Sequence, residues 1–469
     1  MQHAPDNSPI AVSDGMTSAW HDLREVLGLS FPIIVAMASH TAMGFVDTWL
    51  LAGYGPNELA SVGAAGSVVF TFIAFVFGTA NCTSTFVSQS IGRGQPADCA
   101  RYTWQGIHFG LMAQVVAVPL ALAGPLIFTA FGHEATIQGL ETSYFRIRLT
   151  HVAGTAAYAS LTSFFQGTGR PVIPMIVALI ANLFNALLDC LLIYGLWGCP
   201  KLGIVGAGAA TAVASYLQVA LLLFVFLRSA THERFWSRTT WRFDLGRFRQ
   251  LMRVGAPAGL SFMLHVASWA IFTNVLIGRL GRNVLAANNV AHAIIGLSFM
   301  PALGLNKGVT VLVGQYIGSK DIPAAKRRAY VAIALAMAYM FMMGILFVTF
   351  RDPIMRVFTH NAEIIQVGST LLILAAVFQA FDALGIVSHG ALRGAGDTHF
   401  PAVIDIASGW LLLLPLGYVL TFTFRLGYVG AWSAAAFQIA IVGIIFFLRF
   451  ASEAWRKIDI FAGSRNDLP

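Results

Sequence analysis

Apolar residues run along the chain in long helical stretches separated by short polar segments. Six stretches lie at 26–52, 59–91, 104–131, 140–166, 171–195 and 203–228. Six more follow a central polar segment, at 250–279, 285–317, 326–350, 363–393, 400–424 and 427–450. Each stretch reaches the ~20 apolar residues that a membrane-spanning helix needs. The pattern therefore predicts an all-α membrane protein with twelve transmembrane helices, here called spans 1 to 12.

The composition supports this class and excludes others. Of the 469 residues, 57% are hydrophobic and only 11% are charged, and mean hydropathy is +0.72. A water-soluble domain carries roughly 25% charged residues. The sequence has no P-loop, HExxH or GxSxG pattern, so no enzymatic activity is expected. Its four cysteines lack the paired spacing of a disulfide framework or a zinc site.

The distribution of positive charge predicts the topology. With twelve spans, 20 of the 29 Lys and Arg residues fall on the side that holds both termini, and 8 fall on the other. Since cytoplasmic loops are enriched in Lys and Arg, both termini are predicted to be cytoplasmic. No basic patch is interleaved with aromatic residues, so no nucleic-acid partner is expected. The absence of an organellar signal suggests a multi-pass protein of a cell inner membrane.

The two halves of the chain resemble each other. The motif around Gln89 recurs around Gln315, the one around Gly167 recurs around Gly394, and the offsets are 226 and 227 residues. Six spans per repeat give two lobes with the same orientation, an arrangement typical of transporters that bind substrate between lobes. The predicted units are an N-terminal tail (1–25), an N-lobe (26–228), a basic connector (229–249), a C-lobe (250–450) and a C-terminal tail (451–469).

Polar groups inside spans 5 and 6 are candidates for a cation site. An ionisable group costs roughly 2.5–3.5 kcal/mol to insert and usually faces a cavity or a partner. Asn182, Asn185 and Asp189 are spaced i, i+3, i+7 and therefore share one helix face. A carboxylate beside amides can hold a proton or offer oxygen ligands to Na⁺, and Thr211 could add a hydroxyl. The structural alternative is polar contact between helices.

Further ionisable residues inside the spans each have more than one possible role. Asp47 lies near the end of span 1, fifteen residues after Pro32, a residue able to kink that helix. The alternative for Asp47 is an interfacial position at the helix end. In the second half, His265, Asp382 and Lys307 are candidates for a cavity of the C-lobe. Lys307 either pairs with Asp382 or Asp405 or repels cationic cargo, and the role of Asp405 itself stays open.

Four features together indicate a known family. They are Pro32 with Asp47, Val87-Ser88-Gln89-Ser90-Ile91-Gly92, Gln166-Gly167-Thr168-Gly169 leading to Asn185 and Asp189, and Asp382 leading to Leu392-Arg393-Gly394-Ala395-Gly396-Asp397-Thr398. With them the chain resembles the multidrug and toxin extrusion (MATE) family over about residues 25–450. The resemblance implies a V-shaped pair of six-helix lobes related by pseudo-two-fold symmetry. It also implies a first-lobe proton or sodium site at Asp47, Asn185, Asp189 and Thr211, with no other cofactor.

Two positions depart from the family pattern. Many relatives carry a glutamate where this chain has His265, and a tyrosine where it has Phe378. A second-lobe cation site would therefore lack one carboxylate, and proton exchange through His265 is the alternative. Membership of the NorM-like or the DinF-like branch stays open.

The resemblance implies antiport that exports organic, often cationic or amphipathic compounds such as drugs, dyes or toxins, coupled to protons or sodium. We expect a monomer whose other partners are membrane lipids. A lipid-linked oligosaccharide flippase of the same superfamily is one alternative, but it should carry several basic residues in its cavity, and only Lys307 lies within the spans. A major-facilitator-type transporter is the other, but its acidic–arginine signature is missing after span 2.

Overall fold

The computed structural model describes residues 15–54, 56–131 and 135–462, which are almost entirely helical. The first half contains α1 (Gly15–Ala52), α2 (Pro56–Asn81), α3 (Thr83–Gly92), α4 (Pro96–Leu122), α5 (Gly124–Phe131), α6 (Ala135–Leu149), α7 (Val152–Gly167), α8 (Val172–Tyr194), α9 (Ile204–Leu227) and α10 (Ser229–Phe235). The second contains α11 (Leu245–Ile271), α12 (Arg282–Gly318), α13 (Ile322–Phe358), α14 (Ala362–Gly394), α15 (His399–Ala407), α16 (Leu414–Tyr418) and α17 (Gly427–Ala451). A π-helical turn at Ser408–Leu413 joins α15 to α16, and a second at Val419–Thr423 extends α16, so that His399–Thr423 forms one segment.

Among the described residues, eleven helical segments are long and apolar enough to cross a membrane. The predicted fourth span is the exception, because α6 and α7 are separate helices that meet at Thr150 and His151. They have 15 and 16 residues, and together they occupy the place of one crossing. The all-α, twelve-span fold class is therefore confirmed, while span 4 is broken where a single helix over 140–166 was predicted.

Several helices extend beyond the predicted limits. α1 begins at Gly15, inside the predicted N-terminal tail, of which residues 1–14 lie outside the described part. The predicted connector contains α10 and the first turn of α11. α11 begins there because Asp244 caps it, its carboxylate accepting a hydrogen bond from the Arg247 backbone N–H at 3.0 Å.

The two lobes meet mainly through four spans. Span 1 (α1) packs on span 8 (α12), span 2 (α2 and α3) packs on span 7 (α11), and α3 also packs on α12. In the sequence repeat, spans 1 and 2 correspond to spans 7 and 8. The contacts between spans 1 and 8 and between spans 2 and 7 are therefore exchanged by the pseudo-two-fold axis.

Matched glycines bring the backbones of the two lobes into contact. A Cβ atom on Gly92 would lie 2.0 Å from the carbonyl oxygen of Gln315, and one on Gly318 would lie 2.3 Å from that of Gln89. Gly92 and Gly318 end α3 and α12 and are 226 residues apart, so they are repeat equivalents. Only glycine permits this approach. We call this end of the bundle, which carries residues 93–95, 228–244, 319–321 and 452–462, the basic face.

Two equivalent hydrogen bonds reinforce this contact. The Gln89 side chain donates to the carbonyl oxygen of Gly394 at 2.9 Å, and the Gln315 side chain donates to that of Gly167 at 2.9 Å. Each bond joins one lobe to the other. Arg328 of the C-lobe adds ion pairs to Asp22 and Glu25 of α1, both at 2.9 Å. The structure is thus closed at the basic face.

Enlarging either glycine is expected to separate the lobes at this point. Gly92→Ala and Gly318→Ala should each lower the free energy of unfolding by about 1–3 kcal/mol, the usual cost of overpacking. Thermal unfolding of the purified protein in detergent measures this loss. Gly296→Ala is the matched control, since no atom lies within 4 Å of a Cβ placed there. Unchanged melting temperatures for both interface variants would contradict the packing.

Candidate functional site

A pair of carboxyl groups lies inside the N-lobe. Asp47 on α1 and Asp189 on α8 lie close together, each within hydrogen-bond distance of the same side chain, Asn185. Asp189 is fully buried, whereas Asp47 is partly exposed. The packing of α1 along α8 brings them together. Two ionised carboxylates this close to each other repel, so a proton on one of them lowers the energy of the pair.

Asn185 bridges the two carboxyl groups. Its amide nitrogen faces them and donates to Asp189 Oδ2 at 3.1 Å and to Asp47 Oδ1 at 3.0 Å. The opposite orientation would set the amide oxygen against two acceptors. Asn185 lies one helical turn before Asp189 on α8 and is fully buried. The bridge fixes both carboxyl groups without adding charge.

Thr211 completes this group through its backbone. Its N–H donates to the amide oxygen of Asn185 at 3.3 Å, and its hydroxyl donates to the carbonyl oxygen of Ala207 within α9 at 2.9 Å. The structure therefore brings Asp47, Asn185, Asp189 and Thr211 together. The hydroxyl proton of Thr211 points along its own helix, so only the lone pairs of that oxygen stay available to a cation.

Further polar groups on α1 extend the site. Asn182 donates to the Ser39 hydroxyl at 2.7 Å, and Gln218 donates to the Asn182 oxygen at 3.5 Å. His40 and the Tyr158 hydroxyl share a hydrogen bond of 2.9 Å. The side chains of Asn182, Asn185 and Asp189, which were predicted to share one helix face, thus all face α1 or α9. The face of span 5 identified by spacing is the polar face of the lobe interior.

Two more features flank the carboxyl pair. Arg148, near the end of α6, acts electrostatically on Asp47. Pro32 lies inside α1, which continues as a helix through it to Ala52. Because proline has no N–H to donate, the turn before Pro32 lacks one helical hydrogen bond. The helix that carries Asp47 is therefore weakest near Pro32.

In the C-lobe the predicted residues do not form one cluster. Asp405 accepts a hydrogen bond from the Ser261 hydroxyl at 3.0 Å, and the His265 ring lies 6.4 Å from that of Trp269. Within the described part of the chain, His265, Asp382 and Lys307 share no hydrogen bond or ion pair. The structure gives no support to a second assembled cation site among them.

Lys307 contacts the other lobe. Its ammonium donates to Asn81 Oδ1 at 2.7 Å and lies 5.8 Å from the Phe77 ring centre. Among the described residues, Lys307 thus has an amide partner and forms no ion pair with Asp382 or Asp405. Asn81 and Lys307 are 226 residues apart, so the two repeat equivalents touch each other at the pseudo-two-fold axis.

Asn81, Arg148 and Tyr158 were not predicted from the sequence as residues of the site or the lobe interface. The repeat offset was the available signal for Asn81, because equivalent residues that lie on a two-fold axis contact one another. Arg148 and Tyr158 reach the site only through the packing of α6 and α7 in the lobe, for which the sequence gives no comparable sign.

Two repeated six-span lobes that meet at a closed face, with a buried carboxyl pair in one lobe, define a multi-pass membrane protein of the transporter type. The MatE family model matches residues 32–191 and 257–419, one segment in each lobe. The chain belongs to the MatE family, which confirms the resemblance drawn from the motifs.

Curated relatives extend over nearly the whole chain. The "Probable multidrug resistance protein NorM" of Mesorhizobium japonicum is 30% identical over 440 residues, covering 92% of this chain and 93% of the relative. The "Multidrug resistance protein NorM" of Aliivibrio fischeri is 28% identical over 431 residues, covering 88% and 93%.

Solved structures show the same fold. A multidrug resistance MATE family transporter of the MOP superfamily, described in an outward-facing conformation, matches with a TM-score of 0.85 and 21% identity, covering 93% of this chain and 97% of that one. A MOP superfamily transporter from Pyrococcus furiosus matches with the same TM-score, identity and coverage.

Removing the bridging amide should weaken the lobe. Asn185→Ala leaves buried carboxyl oxygens without their donor and is expected to lower the free energy of unfolding by about 1–3 kcal/mol. Thermal unfolding in detergent measures the change. Asn274→Ala is the control, because Asn274 is exposed and its amide bonds only to its own helix, at Ala270. Equal stability of the two variants would contradict the bridge.

Proposed function

We propose that this chain is a secondary multidrug efflux transporter that exchanges protons for organic, often cationic or amphipathic compounds. One observation carries the proposal: the Asn185 amide bridges the carboxyl groups of Asp47 and Asp189 inside the N-lobe, at 3.0 and 3.1 Å. Two close carboxyl groups in a poorly hydrated site cannot both be ionised at low cost. The pair therefore binds a cation whenever cargo does not neutralise its negative charge.

The donors around the pair favour a proton over Na⁺. Sodium needs a shell of oxygen ligands, by analogy with other hard cations. Here the Asn185 nitrogen, not its oxygen, faces the carboxyl groups. A proton, in contrast, needs only two carboxyl oxygens in contact.

Access to the pair suggests how protons drive export. Asp47 is partly exposed and lies in the half of α1 far from the closed basic face. If the basic face is cytoplasmic, as the charge distribution predicts, the site is reached from outside the cell. Protonation then repacks α1 near Pro32 and expels cargo outward. Each charge moved inward gains about 2.3 kcal/mol per 100 mV of membrane potential.

The same proposal covers location and partners. The chain acts as a monomeric transporter, not an enzyme, in a cell inner membrane, with both termini cytoplasmic and lipids around its spans. The NorM names of the relatives support drugs as cargo. An oligosaccharide-flippase role gains no support from Lys307, because its ammonium is bound to Asn81.

Neutralising either carboxyl group should abolish export. We expect Asp47→Asn and Asp189→Asn to reduce ethidium transport in vesicles by at least about tenfold, since removing the charge removes the exchange. Wild-type vesicles should respond to an imposed ΔpH and not to a sodium gradient.

Asp352→Asn is the matched control, because Asp352 bonds to Ser369 and lies outside the N-lobe. Its transport should equal that of the wild type at equal expression. Full transport by both Asp47→Asn and Asp189→Asn would defeat the assignment, and transport driven by sodium alone would defeat proton coupling.

A further inference from the structure

A cavity opens at the basic face, at the opposite end of the bundle from the carboxyl pair. It has a volume of about 1470 Å³. Its walls come from the start of α4 in the N-lobe, the start of α11 in the C-lobe and the C-terminal segment 457–462. Both lobes and the segment 457–462 therefore contribute to one concave surface.

The acidic residues that line this cavity are all paired with arginines. Asp98 pairs with Arg101 at 3.0 Å and with Arg247 at 3.2 Å, Asp244 pairs with Arg247, Asp397 pairs with Arg449 at 2.8 Å, and Asp459 pairs with Arg93 at 3.3 Å. Burial opposes ionisation of Asp244, but hydrogen bonds from Arg247 outweigh it and lower the pKa of Asp244. Four aspartates are thus matched by four arginines.

Three further cations remain in the lining. Arg249, Arg253 and Lys457 are exposed, and they form no ion pair within the described residues. Arg249 and Arg253 are four residues apart and share one face of α11. With the four arginines and four aspartates cancelling, the cavity carries a net charge of +3 from these side chains.

The walls of the cavity are held in place by the C-terminal segment. The Phe461 ring packs against Phe86 and Tyr102 of the N-lobe, with ring centres 5.7 and 5.8 Å apart. The Arg93 guanidinium lies 3.8 Å from the centre of the Phe461 ring, and Gln250 donates to the Phe461 carbonyl at 3.4 Å. The concave surface is therefore built by packing and is not a chance gap between loops.

Topology alone explains positive charge on this face, but not three unpaired cations gathered in one cavity. A concave surface with a net positive charge raises the local concentration of anions. Basic pockets between spans on the cytoplasmic side suit lipid phosphate groups. Trp236 and Phe400 also line the cavity, and aromatic residues of this kind sit at headgroup level.

We propose that this cavity binds a phosphate-bearing anion through Arg249, Arg253 and Lys457. The anion is either the headgroup of an anionic phospholipid or a soluble phosphate compound, since both present the same chemistry. Because the cavity walls come from both lobes, the bound anion stabilises the state that is closed at the basic face. This site is independent of the carboxyl pair and of the identity of the cargo.

The test uses the purified full-length protein. Its melting temperature is measured in nanodiscs of phosphatidylglycerol and of phosphatidylcholine, and in detergent with and without inorganic pyrophosphate. We expect phosphatidylglycerol or pyrophosphate to raise it. A rise with phosphatidylglycerol alone identifies a lipid headgroup, and a rise with pyrophosphate identifies a soluble phosphate.

The double variant Arg249→Gln/Arg253→Gln should bind the active probe at least about tenfold more weakly, since it loses two charge-assisted hydrogen bonds to the phosphate. Without probe it should melt like the wild type, because both side chains are exposed. Arg242→Gln is the control: Arg242 is exposed on the same connector and does not line the cavity. No stabilisation by either probe, or equal losses in the double variant and in Arg242→Gln, would overturn the proposal.

Discussion

The structure depends on two carboxyl groups held against each other where water scarcely reaches. Asp189 is buried completely, and Asp47 on the neighbouring helix α1 is bridged to it by the Asn185 amide. Separately, either group could be ionised or neutral at modest cost. Together they must share a proton or a small cation, because two adjacent negative charges out of water repel strongly. Asn185 keeps them in place without neutralising them, so the pair retains a need for positive charge that either a coupling ion or a cationic cargo can satisfy.

The rest of the fold explains how such a local change can move two lobes. α1 carries Asp47 and also packs on α12 of the other lobe. Repeat-equivalent residues join the lobes: Gly92 and Gly318 at the basic face, Gln89 and Gln315 through equivalent bonds to the opposite lobe, and Asn81 with Lys307 within the spans. Because these contacts lie on or beside the two-fold axis, the two lobes can rotate about them symmetrically. Small residues at these contacts allow close packing while leaving few side chains to interlock.

The sequence predicted the parts of this account that depend on periodicity and repetition. The number of spans follows from the apolar stretches, and the two lobes follow from the repeated motifs. The shared face of Asn182, Asn185 and Asp189 follows from their spacing along one helix. The partnership of Asp47 with Asp189 came only from the family resemblance, since no local pattern links α1 to α8. The partner of Lys307 was missed because charge alone suggested aspartates, whereas packing at the axis supplied an amide. The break between α6 and α7 was also missed, as the apolar run shows no proline there.

Proton release on substrate binding tests the central claim most directly. Ethidium is added to the detergent-solubilised protein in weakly buffered solution, and the pH change is followed with an indicator dye. If cargo and proton compete for the charge of one carboxyl pair, the wild type should release protons as ethidium binds, and the Asp47→Asn/Asp189→Asn double variant should release none. Equal release from both proteins, or ethidium binding by the wild type without any release, would contradict the account.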